Sequence, residues 1–110
     1  MARDHLGEFE QIVLLSVMRL GEGAYGVPIR HEIQNRTGRQ VTVGALYATL
    51  DRLEAKGYLR SWFADPTPRR GGRSKRYFKL LPGGLQALTE YKAMLDQMWR
   101  GVRLKGAPNV

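Results

Sequence analysis

Apolar side chains recur at helical spacing in two segments of the first third of the chain. In the first, from Leu6 to Leu20, they fill more than half of the helical circumference, which predicts a largely buried helix. A second helix is predicted from about Val27, since Ile29 and Ile33 lie four residues apart and face the same side. Gly38 is well placed to end this helix.

A third helix is predicted from about Val43 to Lys56. Thr42 is placed to cap its N-terminus, and Gly57 to end it in the left-handed conformation. One face is an apolar stripe of Val43, Leu46, Leu50 and Leu53. The opposite face is small in its first half and basic in its second, with Ala45, Ala48, Thr49, Arg52 and Lys56.

The pattern then changes from helical to alternating. Tyr58–Ala64 and Arg76–Leu81 are rich in aromatic and β-forming residues and are predicted to be two strands. The segment between them contains prolines and glycines, so the two strands form a long hairpin. Its aromatic side chains, Trp62 and Tyr77 among them, are expected to serve the core.

A last helix is predicted to begin at Pro82 and to extend to about Val102. It carries two adjacent apolar stripes, and only one of them can pack on the chain's own helices. The second stripe indicates another subunit. The residues assigned to dimerisation are Leu85, Leu88, Tyr91, Leu95, Met98, Trp99 and Val102.

Two features of this helix keep two interpretations each. Met94, Met98 and Trp99 could line an apolar effector pocket or form an ordinary hydrophobic interface. Lys92 interrupts one stripe, and it either sets the register of the helices or extends its amine to water.

The fold class that follows is mainly α with a β-hairpin, in the order of a winged helix-turn-helix. We predict a DNA-binding domain over residues 1–81, a dimerisation helix over 82–102 and a flexible tail over 103–110. In such a domain the third helix enters the major groove and the hairpin lies along the neighbouring backbone. The small outer face of the third helix suits the groove, although small residues also permit close helix packing.

The distribution of charge along the chain indicates a function for this fold. The segment from Arg36 to Lys79 holds eleven basic and three acidic residues, whereas the rest of the chain holds seven of each. The net charge of +8 therefore lies entirely in the middle segment, which indicates contact with phosphates. The predicted hairpin contributes Arg69, Arg70, Arg73, Lys75 and Arg76, and the approach to the third helix contributes Arg39 and Gln40.

Two residues near the predicted interface remain ambiguous. Thr42 either helps to hold a phosphate or serves only as a helix cap. The ring of Tyr47 lies beside the core stripe, so it packs inside, while its hydroxyl group could also donate to a phosphate.

The residues also resemble a known family. The stretch from Val41 to Leu59, with Leu46-Tyr47 and Arg52-Leu53-Glu54, resembles the recognition-helix signature of the PadR family of transcriptional regulators. Gly71 to Leu80 resembles the wing and second strand of that family. The resemblance covers roughly Leu6 to Val102, and the length is similar to that of the short branch with a single C-terminal helix.

Two positions depart from the family pattern. The family usually has proline where this chain has Ser74, and threonine where this chain has Leu81 before the last helix. Neither change removes a basic residue.

The resemblance implies a dimer that binds an inverted-repeat operator in double-stranded DNA, usually as a repressor and sometimes released by a small molecule. Carried over position by position, it implies DNA contacts from the third helix and the wing. These contacts are Thr42, Gly44, Ala45, Tyr47 and Thr49, with Arg73, Lys75 and Arg76. From the shape of the helix alone, Ala48 and Arg52 are added.

Other classes of function find little support in the sequence. There is no cysteine, the two histidines, His5 and His31, lie in different predicted elements, and no catalytic motif occurs. We therefore expect no enzyme activity, no metal or other cofactor, no membrane span and a cytoplasmic location. The competing hypothesis is a winged-helix module that binds an acidic protein or binds nucleic acid without sequence preference.

Overall fold

The computed structural model describes residues 6–64 and 74–104, and in these ranges four α-helices and a two-stranded hairpin follow one another. The predicted order of three helices, a hairpin and a helix is therefore confirmed. A short 3-10 turn at Gly21–Gly23 joins the first two helices. The elements are α1 (Glu8–Leu20), α2 (Gly26–Thr37), α3 (Val43–Ala55), β1 (Leu59–Phe63), β2 (Arg76–Leu80) and α4 (Pro82–Trp99).

The boundaries of α2 and α3 follow local sequence chemistry. Gly38 ends α2 with a φ of 70°, which a residue without a side chain adopts at little cost. Thr42 caps α3, because its hydroxyl oxygen accepts a hydrogen bond from the backbone N–H of Ala45 at 3.1 Å. The predicted starts and stops at these positions are confirmed.

The hairpin is antiparallel, with Leu59 opposite Leu80 and Phe63 opposite Arg76. Tyr25, just before α2, adds a single bridge to Tyr77 on the free side of β2. Leu59 and Phe78 turn into the protein and are buried, which fixes the root of the hairpin on the helices.

The core is formed where α1, α2 and α3 meet the root of the hairpin. Its largest fully buried side chains come from each of these elements and are Val13, Leu14, Val17, Ile29, Ile33, Leu46, Leu50, Leu53, Leu59 and Phe78. Three of the four predicted stripe residues of α3 are in this set.

Several predicted core positions are wrong. Val43 is 52% exposed, because as the first residue of α3 it projects beyond the helices that cover the rest of the stripe. Leu15 and Met18 of α1 are also exposed, so this helix is buried over a narrower face than its apolar content predicts. Trp62 and Phe63 near the far end of the hairpin are exposed rather than part of the core.

The helix α4 divides into two parts. Its first half packs on the domain, with Gly84 and Leu88 buried and Tyr91 packed against the core. Every residue from Lys92 to Trp99 is exposed. The helix ends at Trp99 rather than at the predicted Val102, and of the predicted tail only Arg103 and Leu104 lie within the described residues.

The contact at Gly84 gives a test of this packing. A methyl group there would collide with the carbonyl oxygen of Tyr58 and approach Leu80 Cδ1 to 2.7 Å. We expect Gly84→Ala to lower the free energy of unfolding by about 1–3 kcal/mol, as overpacking does elsewhere, in urea unfolding followed by circular dichroism.

Gly83→Ala is the matched control. Its methyl group would lie 3.4 Å from the carbonyl oxygen of Gly57, an ordinary contact. Stability should stay the same or rise by up to about 1 kcal/mol, since alanine favours helix over glycine. Equal effects of the two changes would contradict the close approach of α4 to Tyr58.

Candidate nucleic-acid interface

The outward face of α3 is bare and slim in its N-terminal half. Gly44, Ala45 and Ala48 are all exposed, as the sequence predicts. Since their side chains are a hydrogen atom or a methyl group, the backbone of the helix can approach another surface closely. An α-helix with such a face fits the major groove of B-DNA, which is about 12 Å wide.

Thr49 is not on this face, and its predicted position is wrong. It is only 3% exposed, and its hydroxyl oxygen accepts a hydrogen bond from Nη2 of Arg52 at 3.2 Å. The reason is helical spacing: Thr49 follows Leu46 by three residues and precedes Leu53 by four, so it lies on the buried stripe. Its hydroxyl group is therefore not presented to a DNA base.

Tyr47 lies between the interior and the surface. Its ring packs against the core, with the ring centre 6.4 Å from that of Phe78. Its hydroxyl group lies directly over the Cα of Gly26 at the start of α2, where a methyl group would collide with it. The ring thus joins α3 to the N-terminus of α2, which accounts for the glycine at position 26.

The basic residues at the end of α3 are held by a buried carboxylate. Glu10 of α1 accepts hydrogen bonds from Nζ of Lys56 at 3.0 Å and from Nε of Arg52 at 3.4 Å. It also accepts one from the backbone N–H of Gly7 at 2.8 Å. Burial opposes ionisation of Glu10, but the hydrogen bonds from Gly7, Lys56 and Arg52 and the charge of Lys56 outweigh it, so the pKa of Glu10 is lowered.

Arg76, predicted to contact phosphate, is also engaged within the protein. Its guanidinium donates to Asp51 at 2.9 Å and to Glu54 at 2.8 Å, both on α3, and to the hydroxyl oxygen of Ser61 on β1 at 3.1 Å. Partial burial opposes its protonation, but the hydrogen bonds and charges of Asp51 and Glu54 outweigh it and raise its pKa. Arg76 is therefore held by partners within the protein, and its contact with phosphate stays a prediction.

The pKa of Glu54 is lowered by the same arrangement. The largest cause is the hydrogen bond from the Ser61 hydroxyl group at 2.7 Å, opposed by partial burial and assisted by Arg76 and by the Ser61 N–H. Glu54 therefore stays ionised at neutral pH and keeps its attraction for Arg76.

The remaining predicted cations of the interface are more accessible. Lys75 is exposed, and its amine lies 4.6 Å from the centre of the Tyr25 ring. Arg39 donates to Glu8 at 2.8 Å and lies over the ring of Phe9, but both charged groups of this pair are well exposed. Exposed pairs contribute at most about 1 kcal/mol, so such an arginine can exchange its partner for a phosphate. Gln40 is exposed beside it, whereas Arg69, Arg70 and Arg73 lie outside the described residues.

The outer face of the hairpin carries residues that the sequence reasoning missed. Arg60 and Lys79 are directly opposite each other, both exposed, and within the described residues neither has an ion-pair partner. Arg60 lies over the ring of Trp62, which in turn stacks on Tyr77. Arg60, Trp62 and Lys79, together with Met18 of α1, border a cleft of about 460 Å³. Alternation along the two strands was the signal that could have placed these residues on one outward face.

The residues assigned to dimerisation fall into two groups. Leu88 is buried and Tyr91 is packed against the core of the same chain, so Leu88 is wrongly assigned to an intermolecular surface. Leu85, Leu95, Met98, Trp99 and Val102 are exposed, as is Met94. Both predicted stripes are therefore partly covered within the chain itself, since Leu88 belongs to one stripe and Tyr91 to the other.

No helix in ranges 6–64 and 74–104 is long and apolar enough to cross a membrane. Across those same ranges, no group of three or more histidine or acidic side chains is arranged to hold a metal ion.

Three helices, a hairpin and a slim exposed face on the third helix define a winged helix-turn-helix protein. Residues 14–90 match the model of the transcriptional regulator PadR-like family. The chain belongs to this family, and it is a DNA-binding transcriptional regulator and not an enzyme.

Individual relatives agree with this assignment. The transcriptional regulator Rv3488 of Mycobacterium tuberculosis is 40% identical over 68 residues, which are 62% of this chain and 60% of that protein. The match thus spans less than two thirds of this relative.

Solved structures show the same fold. A PadR-like transcription factor of Bacteroides fragilis is 24% identical with a TM-score of 0.72, covering 84% of each chain. A PadR family regulator of Eggerthella lenta is 26% identical with a TM-score of 0.66, covering 86% of this chain and 81% of that one.

The buried carboxylate of Glu10 gives a test of the interactions beneath α3. We expect Glu10→Gln to lower the free energy of unfolding at neutral pH by about 1.5–3 kcal/mol, the usual contribution of hydrogen bonds to charged groups. Because the folded-state pKa of Glu10 is lowered, its stabilisation is present above its unfolded-state pKa and is lost as pH falls through the folded-state value. The difference between variant and wild type should therefore shrink in acid.

Urea unfolding at several pH values measures both effects. The control is Glu22→Gln, which removes the same charge from an exposed position and should change stability by less than about 0.5 kcal/mol. A difference that persists unchanged into acid would contradict the role given to the ionised Glu10.

Proposed function

We propose that the protein binds an inverted-repeat operator as a homodimer in the cytoplasm and acts there as a repressor. The observation that carries this proposal is the exposed, slim face of Gly44, Ala45 and Ala48 on α3. In the proposal this face enters the major groove, where the methyl groups of Ala45 and Ala48 can contact thymine methyl groups.

The phosphates flanking the groove are met by the surrounding polar and basic groups. Thr42 and Gln40 precede α3, and Arg39 needs only to leave its exposed partner Glu8. Lys75 follows the arginines of the segment 65–73 closely in the chain. Because these residues are all basic, the wing is proposed to follow the DNA backbone. The contacts from this segment are proposed from the sequence alone: Arg69, Arg70 and Arg73.

Dimerisation is supported by the apolar surface that α4 exposes. Met98 is 72% exposed and Trp99 54% exposed, with Leu95 and Val102 beside them. Exposed apolar patches of this kind mark protein interfaces. Two copies joined through α4 would set two α3 helices about one DNA turn apart, roughly 34 Å.

The operator contact is tested by binding to duplex DNA over a series of salt concentrations. The duplexes are an inverted repeat from the DNA upstream of the gene and a shuffled sequence of equal length. We expect a clear preference for the repeat, and removal of two wing cations by Arg73→Ala with Lys75→Ala should weaken binding to both. The slope of log affinity against log salt should flatten by about one to two units, since each phosphate contact contributes about 0.9.

The matched control removes two exposed cations from the end of the chain that follows α4, Arg100→Ala with Arg103→Ala. Its salt slope should equal that of the wild type. Equal wild-type affinity for both duplexes would instead favour binding without sequence preference, and no binding at low salt would favour an acidic protein partner.

The dimer is tested by placing a charge on the exposed stripe. We expect Trp99→Glu to convert dimer to monomer in sedimentation velocity, because a carboxylate would be buried unpaired in an apolar interface. Gln97→Glu is the control, since Gln97 lies on the polar face of the same helix and should leave the dimer intact. A monomeric wild type would contradict the proposal.

Release by an effector is a further part of the proposal. Met94, Met98 and Trp99 offer an apolar surface at the proposed dimer interface, so an apolar or aromatic small molecule bound there would alter the distance between the two α3 helices. This step is tested by titrating the protein with such molecules. Trp99 fluorescence measures their binding, and a parallel assay measures operator affinity. Molecules that bind the dimer without weakening DNA binding would exclude it.

A further inference from the structure

We propose that Glu54 and Asp51 are positioning residues, which hold the wing against α3 through Arg76 and so set how the wing meets DNA. This inference rests on the operator binding proposed above. It assigns a favourable role in DNA binding to two acidic side chains on the helix that approaches the phosphates.

The contacts converge from three elements. Arg76 is the first residue of β2, and its side chain donates through Nη1 to Asp51, through Nη2 to Glu54 and through Nε to Ser61. Glu54 also accepts the backbone N–H and the hydroxyl group of Ser61, at 3.1 and 2.7 Å. One carboxylate thus joins α3 to both strands of the hairpin.

Apolar packing does not fix this end of the hairpin. Its last strand pair is Phe63 with Arg76, and Phe63 is 68% exposed. A two-stranded hairpin alone is marginally stable in water. The core holds the root through Leu59 and Phe78, and the Tyr25 ring contacts Tyr77 on the outer face. On the side that faces α3, the contacts of Arg76 therefore determine the angle between the hairpin and α3.

The charges of Asp51 and Glu54 separate this role from direct contact of Arg76 with a phosphate. If Arg76 contacted phosphate, the two carboxylates would compete for it and repel DNA, and neutralising Glu54 would tighten binding. If Arg76 positions the wing, neutralising Glu54 frees the hairpin and weakens binding although a negative charge has been removed. The two mechanisms thus predict opposite signs for the same variant.

The experiment compares Glu54→Ala, Arg76→Ala and the double variant for operator affinity over a salt series. We expect each single variant to weaken binding roughly tenfold, which corresponds to about 1.4 kcal/mol. The salt slope should flatten by about one unit or more, because wing–phosphate contacts are lost. The double variant should bind no more weakly than either single variant, as is usual for residues that act as one unit. Unchanged or tighter binding by Glu54→Ala would overturn the proposal.

Two further measurements keep the test decisive. Glu22→Ala removes one exposed negative charge outside the network and should leave affinity unchanged or slightly tighter. Thermal unfolding by circular dichroism checks that each variant is folded. If Glu54→Ala is not folded, Asp51→Asn replaces it, since Asp51 is largely exposed, and weaker binding is again expected.

Nuclear spin relaxation of the Trp62 and Phe63 amides reports the order of the hairpin without DNA. These amides should gain motion in Glu54→Ala and in Arg76→Ala and stay as in the wild type in Glu22→Ala. Unchanged order in the first two would overturn the positioning role even where the operator is bound. If the amides gain motion in the two variants but the wild type shows no preference for the operator, the positioning role is supported and the proposed function fails.

Discussion

The helix α3 is buried on one side and bare on the other, and the remaining architecture depends on this division. Leu46, Leu50 and Leu53 are fully buried against α1, α2 and the root of the hairpin. Burial of three leucine side chains contributes several kcal/mol, at about 1.5–3 kcal/mol for each. The apolar stripe therefore fixes the rotation of α3 about its axis. Once the rotation is fixed, Gly44, Ala45 and Ala48 have to face outwards.

Charge in this protein is both segregated along the chain and compensated in space. The basic middle segment suggests a uniformly cationic surface, yet carboxylates bind several of its members. Glu10 holds Lys56 and Arg52, and Glu54 holds Arg76. The accessible cations are consequently fewer than the sequence implies, and among the described residues Lys75, Arg60 and Lys79 are free of acidic partners. The compensated cations stabilise the positions of α3 and the hairpin.

The two halves of α4 have different roles. Its first half is packed on the domain and its second half is exposed, much as α3 has one buried face and one exposed face. Gly84 permits the helix to approach the backbone of Tyr58, and Leu88 closes the core from that side. Beyond Tyr91 the helix leaves the domain and exposes apolar residues that no other described part of the chain covers. Because the first half of α4 is packed on the domain, a molecule that binds the exposed second half would change the position of the DNA-binding face. This is the basis of the proposed effector response.

Local sequence chemistry determined the elements, their order and several of their boundaries, although not the end of α4. Thr42 and Gly38 act through atoms within four residues of themselves, so a cap and a helix end can be predicted without tertiary knowledge. The slim face of α3 was predictable in the same way, because helical periodicity alone places Ala45 and Ala48 on one side.

The tertiary structure decided which side of each helix is covered and which charges are paired. Helical spacing already places Thr49 on the stripe of Leu46 and Leu53, and the elements that cover this stripe bury Thr49 although its residue type suggested exposure. Arg76 and Glu54 are 22 positions apart in the chain, and Arg52 and Glu10 are 42 apart. Such pairs form only when distant elements are brought together, and no periodicity along the sequence records them.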